Sequence, residues 1–559
     1  MKPLYTLAVL FFLATGLLAQ EQKHVVFLKD KENNPYSLTN PEAFLTQRSI
    51  DRRVKSNISL DLKDLPVTPA YVDQIKATGA VVVYTLKWFN GVVVNTNDPT
   101  VLAAIAALPF VDHIDQVLTK KPLQVGGVSG VKQMNEIPPY ILTKPASVVA
   151  SKSTGSLSYG QAFNQVHMIS VDGLHDLGFS GQGMMIAILD AGFYHVDQIH
   201  AFDSLWDNNQ ILGTRDFNIP GNNVFGDDMH THGTSVLSTI GANLPGQIVG
   251  TAPHASFWLI RTEVADYEAL IEEYNWAGGA EFADSLGADV INSSLGYTTF
   301  DNPLFNHTYA DMDGNTTPIT RAADMATSRG MMVVNAAGNE GGSSWQYIGA
   351  PADGDSVLSI GAVDAGGHYA SFSSTGPTAD GRIKPDIMAQ GQGTTVVDGS
   401  GWVVQGSGTS FASPIMAGAM ACLWQSTPLF SAQVLRDAVR NTASKASTPN
   451  NLYGYGIPNM MNAMLLLSAP SGTPELKQPF TLFPVPFSSA PTLSSTLQKP
   501  EPVKLEILSV SGQMISTRTF DVNNASAIVL GDFDLMPAGL YFIRISSTSG
   551  QQVLRAIKL

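Results

Sequence analysis

Cysteine is nearly absent from this 559-residue chain, and the single one, Cys422, rules out an intramolecular disulfide framework. The fold must be held by its core. Positive charge is also scarce: 32 Lys and Arg against 47 Asp and Glu leave a net charge of -15, which repels nucleic acid and anionic membrane surfaces and argues against both as partners. Long apolar runs are missing too. The stretch from Leu7 to Leu13 is too short to span a bilayer, and no second long apolar segment follows. With a lysine at position 2 and small residues near Ala19, it predicts a signal peptide over residues 1–19 and a mature protein outside the cytoplasm. Hydrophobic residues make up 44% of the chain, enough for several domains that bury cores without metal or disulfide staples.

What is present is organised around Gly408-Thr409-Ser410-Phe411-Ala412-Ser413-Pro414, a serine at a glycine-flanked turn followed by the apolar run Ile415 to Leu423. That reads as a buried helix with a serine at its mouth, and it places Cys422 inside the helix as a small hydrophobe. A serine hydroxyl attacks carbonyls only when a neighbouring base takes its proton, so a histidine and an orienting carboxylate are required elsewhere. Asp190 closes the apolar run Ile186-Ala187-Ile188-Leu189, and His232 opens His232-Gly233-Thr234-Ser235. Alone, Asp190 would be an ordinary helix cap and His232 a surface histidine; the order Asp, His, Ser in glycine settings gives them a joint role. A fourth block, Ala336-Ala337-Gly338-Asn339-Glu340-Gly341, puts an amide after a strand, where a turn asparagine is the plain alternative.

These four blocks resemble the signature blocks of the subtilisin-like serine proteases, over roughly the middle three hundred residues. The resemblance implies Ser410 as nucleophile, His232 as base, Asp190 as its orienting partner and Asn339 as an oxyanion donor together with the Ser410 backbone N–H. It implies no cofactor for catalysis and polypeptide substrates. Ser294-Leu295-Gly296 resembles the stretch whose backbone pairs with an extended substrate, against the plain alternative of a strand-to-loop transition. Gly349 falls near the floor of the primary pocket, which would leave that pocket open to large apolar residues.

The fold class expected from the strand and helix pattern is α/β: a doubly wound parallel sheet over 160–467, with strands apolar at nearly every position. Residues 20–117 read β-α-β-β-α-β with an insertion after the first strand, a ferredoxin-like α+β pattern that resembles the inhibitory propeptides of this family. An independent binding module is the rival. Residues 118–159 lack periodicity and suit a processing linker. After a second linker, 468–479, residues 480–559 read as a small β-sandwich. There Leu482-Phe483-Pro484-Val485-Pro486-Phe487 and Pro537-Ala538-Gly539-Leu540-Tyr541-Phe542 resemble the C-terminal sorting domains of type IX secretion, with Val485 where the family usually has Asn. The partners implied are the chain's own propeptide and a secretion machinery, and the destination is the cell surface or medium.

Two other classes of function are weighed. His195, His200, His230 and His232 with Asp227 and Asp228 form a region that could hold zinc, although His230 and His232 are two apart and would point to different sides of a helix. A non-catalytic surface protein on the same scaffold would lack a triad member, and none is missing. Asp311-x-Asp313-Gly314 begins like a calcium loop, but its twelfth position is Ala322, so a structural calcium is left open.

Overall fold

The computed structural model describes residues 22–119, 157–468, 480–495, 497, 501–509, 514–522, 527–547 and 550–559. The expected signal peptide and most of both linkers lie outside them, as do Ser511 and Gly512, which read in the sequence as a turn between strands of the last domain.

The first domain contains β1 (Gln22–Leu28), α1 (Gln47–Lys55), α2 (Pro69–Ala77), β2 (Val81–Leu86), β3 (Gly91–Asn95), α3 (Pro99–Ala106) and β4 (Val111–Thr119). Its strands pair antiparallel in the order β2-β3-β1-β4, and α1 lies in the insertion after β1. Alternation along the strands sorts the side chains onto two faces. Val26, Val92 and Val94 pack with Ile75 and Ile105 of α2 and α3. Val25 and Val93, pointing the other way, join a core shared with the next domain.

That next domain follows with β5 (Met185–Asp190), β6 (Ile211–Asp216), α4 (His232–Gly241), β7 (Ser256–Arg261), α5 (Ile271–Leu286), β8 (Val290–Ser293), α6 (Pro318–Ser328), β9 (Met332–Ala336), β10 (Leu358–Val363) and β11 (Ile387–Gln390). A hairpin, β12 (Thr394–Val397) and β13 (Val403–Gly406), leads into α7 (Thr409–Ser426). The seven-stranded sheet is parallel throughout, in the order β11-β10-β9-β8-β5-β7-β6. Both faces are covered, as apolar strands require. Ile186 and Ile188 of β5 face the core beneath α4 and α7, while Ala187 and Leu189 face α5 and α6. From β5 the chain runs out to the edge strand β6, returns to β7, then crosses to β8 and winds outward through β9, β10 and β11, so the connections leaving β5 and β8 run in opposite directions and the switch point lies between them.

Cys422 sits inside α7, fully buried, with its thiol donating to Thr251 O at 3.1 Å. Burial pushes its pKa up, which makes it inert packing. The last domain has two sheets: β14 (Phe480–Phe483), β15 (Thr492–Ser495) and β18 (Ala527–Val529) in the order β14-β15-β18, and β16 (Glu501–Ser509), β17 (Met514–Val522), β19 (Gly539–Ser547) and β20 (Gly550–Lys558) in the order β17-β16-β19-β20. Phe480, Leu482 and Leu493 from one sheet and Val503, Leu505 and Ile543 from the other share one core.

Candidate active site

Asp190 is the last residue of β5, in step with Ile186 and Ile188, so the pleat aims its carboxylate at the face that α4 covers. His232 is the first residue of α4. Its Nδ1 lies 2.8 and 3.0 Å from the two Asp190 oxygens, with both side chains essentially inaccessible to solvent at 1% and 0% exposure. Asp190 also accepts the Ala191 N–H at 2.7 Å. Gly233 makes this approach geometrically feasible, because a Cβ there would come within 2.3 Å of Gly192 O.

Ser410 is the second residue of α7 and is half-buried. Pro414, four residues on, has no N–H, so the Ser410 carbonyl loses the donor that a regular helix would supply. The hydroxyl of Ser294, just past β8, takes that place and donates to Ser410 O at 2.8 Å. In return Ser410 Oγ points to Ser294 O at 3.3 Å. One turn further, Ser413 Oγ donates to Asn292 Oδ1 at 3.0 Å, so the mouth of α7 is stitched to the end of β8. The next ring along α7, Phe411, lies 6.2 Å from that of His232.

Asn339 follows β9 by three residues. Its Oδ1 accepts from the backbone N–H and the hydroxyl of Thr409, at 2.9 and 3.0 Å. Two donors on the amide oxygen leave no ambiguity about the amide's orientation, and its Nδ2 faces the start of α7, where a Cβ on Gly408 would be 3.7 Å away. The turn before it is held by Thr409 as well, through Oγ1 to Gly338 N at 3.2 Å.

Asp190, His232, Ser410, Asn339 and Ser294 thus gather around the mouth of α7 at the carboxyl ends of β5, β8 and β9. Beside it, Tyr297 and Ala350 exchange backbone hydrogen bonds at 2.9 and 3.2 Å. A Cβ on Gly349 would meet Thr298 and Tyr297 O at 3.2 Å, so Gly349 abuts the segment that leaves Ser294-Leu295-Gly296. Gly296 is exposed and Leu295 is buried.

The histidine-rich region does not converge. His195 pairs with Asp227 at 2.8 Å and His200 with Asp203, while His230 Nδ1 accepts the His232 N–H at 3.1 Å. Asp311 caps Thr308 and Asp313 closes a turn onto Asn315 and Thr316. Among the described residues no group of three or more His, Cys, Asp or Glu side chains is placed to hold a metal.

Sequence reasoning missed Thr409 as the clamp on Asn339, and it missed the hydroxyl of Ser294. The second had a readable signal: a proline four residues after the candidate nucleophile leaves a carbonyl without its helical partner.

Fold and crevice define a doubly wound α/β protein with a polar site at its switch point. Comparison with known proteins adds the family. Residues 181–456 match the subtilase family, 23–132 the peptidase S8 propeptide domain of Bacteroidota, and 481–558 a secretion system C-terminal sorting domain. Subtilisin E of Bacillus subtilis is 31% identical over 318 residues, 56% of this chain and 73% of its own. Subtilisin DY of Bacillus licheniformis is 30% identical over 302 residues, 53% of this chain and 96% of its own. The chain belongs to the subtilase family: it is a subtilisin-like serine endopeptidase with a propeptide and a type IX sorting domain that directs it to the cell surface or medium.

Proposed function

We propose that this endopeptidase hydrolyses peptide bonds with Ser410 as nucleophile, His232 as base and then acid, Asp190 as its orienting partner and Asn339 as oxyanion donor. The observation that carries the reading is the buried Asp190–His232 pair beside the Ser410 helix mouth, with the Asn339 amide oriented by Thr409. Because Nδ1–H is given to Asp190, the lone pair of the ring sits on Nε2. Attack requires Ser410 O–H to leave Ser294 O and turn to that nitrogen. Oγ then bonds to the scissile carbonyl carbon, the proton passes to His232, and Asp190 stabilises the imidazolium. The oxyanion is met by Asn339 Nδ2–H and the Ser410 N–H at the positive end of α7. His232 returns the proton to the leaving amine, and water repeats the sequence on the acyl-enzyme. No cofactor enters these steps.

The substrate is read as lying along Ser294-Leu295-Gly296, with Gly349 at the floor of a pocket for a large apolar residue before the scissile bond. The domain bounds are read as 1–19 signal peptide, 20–117 propeptide, 160–467 catalytic domain and 480–559 sorting domain.

A serine-directed phosphonate should label Ser410 and abolish activity while a chelator leaves it intact. Ser410→Ala and His232→Ala should each remove nearly all turnover, and the double variant little more, since the triad acts as a unit. Wild-type turnover in Ser410→Ala would refute the assignment. A peptide library run on the same enzyme checks the pocket; preference for Asp or Arg there would contradict it.

A further inference from the structure

The inserted helix α1 grips the catalytic domain at the end of the sheet opposite the crevice. Its Arg48 donates to Gly287 O at 2.9 Å and Gly183 O at 2.8 Å and pairs with Asp289. Arg52, one turn on, donates to Arg329 O at 3.1 Å and to Ala288 O, and pairs with Asp284 at 2.5 Å. Gly183 precedes β5, Ala288 and Asp289 precede β8, and Arg329 precedes β9. One short helix therefore ties together the entries of three adjacent central strands. The four residues of β8, roughly 13 Å at about 3.3 Å each, separate this contact from Ser294.

The fit is close and the charges alternate between the two domains. Gly287 ends α5 at φ +87°, and a Cβ there would lie 2.7 Å from Arg48 Cγ and from Ser49 N, so α1 rests directly on the cap. Asp284, on the last turn of α5, takes Arg52, Arg53 at 2.9 Å and Lys87 at 2.8 Å. In exchange Arg329 of the catalytic domain reaches Asp61 at 2.8 Å and Asp64 at 3.2 Å. The side chains of Arg52, Arg53, Asp64 and Asp284 are 4% exposed or less. Burial alone would raise the Asp284 pKa, yet the cations hold it well below the usual carboxylate range. Charges buried this way are tolerable only as a complete set, and removing one partner strands the others in low dielectric.

We propose that α1 and residues 56–64 form a second anchor of the propeptide on the catalytic domain, separate from the cleft, which keeps the propeptide attached as a bound subunit after the connecting chain is cut. The proposal rests on the propeptide match over 23–132 and not on the roles given to Ser410 or His232. Release is then a two-step event. Separation of the shared core at Val25 and Val93 leaves the propeptide in place, and departure waits for the basal anchor to open.

The test uses the full chain carrying Ser410→Ala, with a site-specific protease sequence inserted between residues 120 and 156, so that cutting does not depend on the enzyme's own activity. After cutting, the two pieces should co-elute on gel filtration. Arg52→Ala with Arg53→Ala should speed their dissociation by about a hundredfold or more, the scale of breaking a buried charge set. Should that variant fail to fold, Arg48→Ala serves, because its side chain is 40% exposed and its loss leaves no fully buried charge unpaired; about tenfold faster dissociation is expected. Pieces that separate at once in the unmodified anchor, or dissociation rates unchanged by Arg48→Ala, would overturn the proposal.

Discussion

The two ends of the central sheet treat polar groups differently. At the carboxyl ends, beside β5 and β8, polar side chains are oriented one at a time: Asn339 by its amide oxygen, Ser410 by its carbonyl and its hydroxyl, His232 by Nδ1. At the amino ends, beside α1, charges are matched across the domain boundary and shut away from water. The first arrangement orients single side chains, which is what the proposed mechanism uses, and the second ties two domains together. Substitutions at the two ends should therefore fail in different currencies, activity at one and cohesion at the other.

The largest effect is expected at the amino end. Arg52→Ala in a Ser410→Ala precursor should destabilise it by about 3–5 kcal/mol, because Asp284 then keeps only part of its cation set. Thermal unfolding measures this, and a Tm equal to that of the parent would contradict the buried-charge account. Close behind comes Asn339→Leu, which should lower kcat by about 10²–10³ with little change in KM or Tm; the magnitude is the family's own, known from a subtilisin oxyanion donor. A large fall in Tm with that variant would blur the contrast between the two ends.

Ser294→Ala should cost roughly tenfold in kcat, since the part-buried carbonyl of Ser410 would lose its donor at about 1–3 kcal/mol and the helix mouth its orientation. Adding Pro414→Ala restores an N–H four residues on and should recover part of the loss. Failure of that rescue would mean the Ser294 hydroxyl acts in some other way.

A further effect is one of pH. Glu281 of α5 accepts the Lys87 and Trp88 N–H groups at 2.7 and 2.8 Å. Burial pushes its pKa up to about 7, against the pull of Lys87, those two N–H groups and Lys31. A carboxyl whose pKa is raised by assembly binds its proton more tightly in the assembled state, so stability is fullest below about 4.5 and falls as pH rises toward 7. Above that it levels off. Unfolding of the Ser410→Ala precursor across this window should show the slope, and Glu281→Gln should flatten it.

Much of the site was legible before any coordinates. An aspartate ending an apolar run, a histidine opening a helix and a serine ahead of a long buried helix carry their settings in the residues beside them, because strand ends and helix mouths are written in local pattern. The β-α-β-β-α-β run of the first domain was legible for the same reason. The insertion after β1 showed only as an interruption. Nothing in Gln47 to Lys55 announces that its arginines will find the carbonyls of Gly183, Ala288, Gly287 and Arg329, which lie more than a hundred residues away along the chain. In the histidine-rich stretch the spacing of His230 and His232 spoke against a shared metal, and the structure turns His195 to Asp227 and His200 to Asp203.

By itself, the sequence determined the order of elements and the exclusion of an intramolecular disulfide framework, since these follow from residue type, period and count. Only the tertiary structure decided that Thr409 would orient Asn339, that Ser294 would take the place of the N–H missing from Pro414, and that α1 would sit at the far end of the sheet. Those are contacts between segments distant along the chain, and their geometry is set by packing a parallel sheet and its helices to full density, which no local pattern encodes.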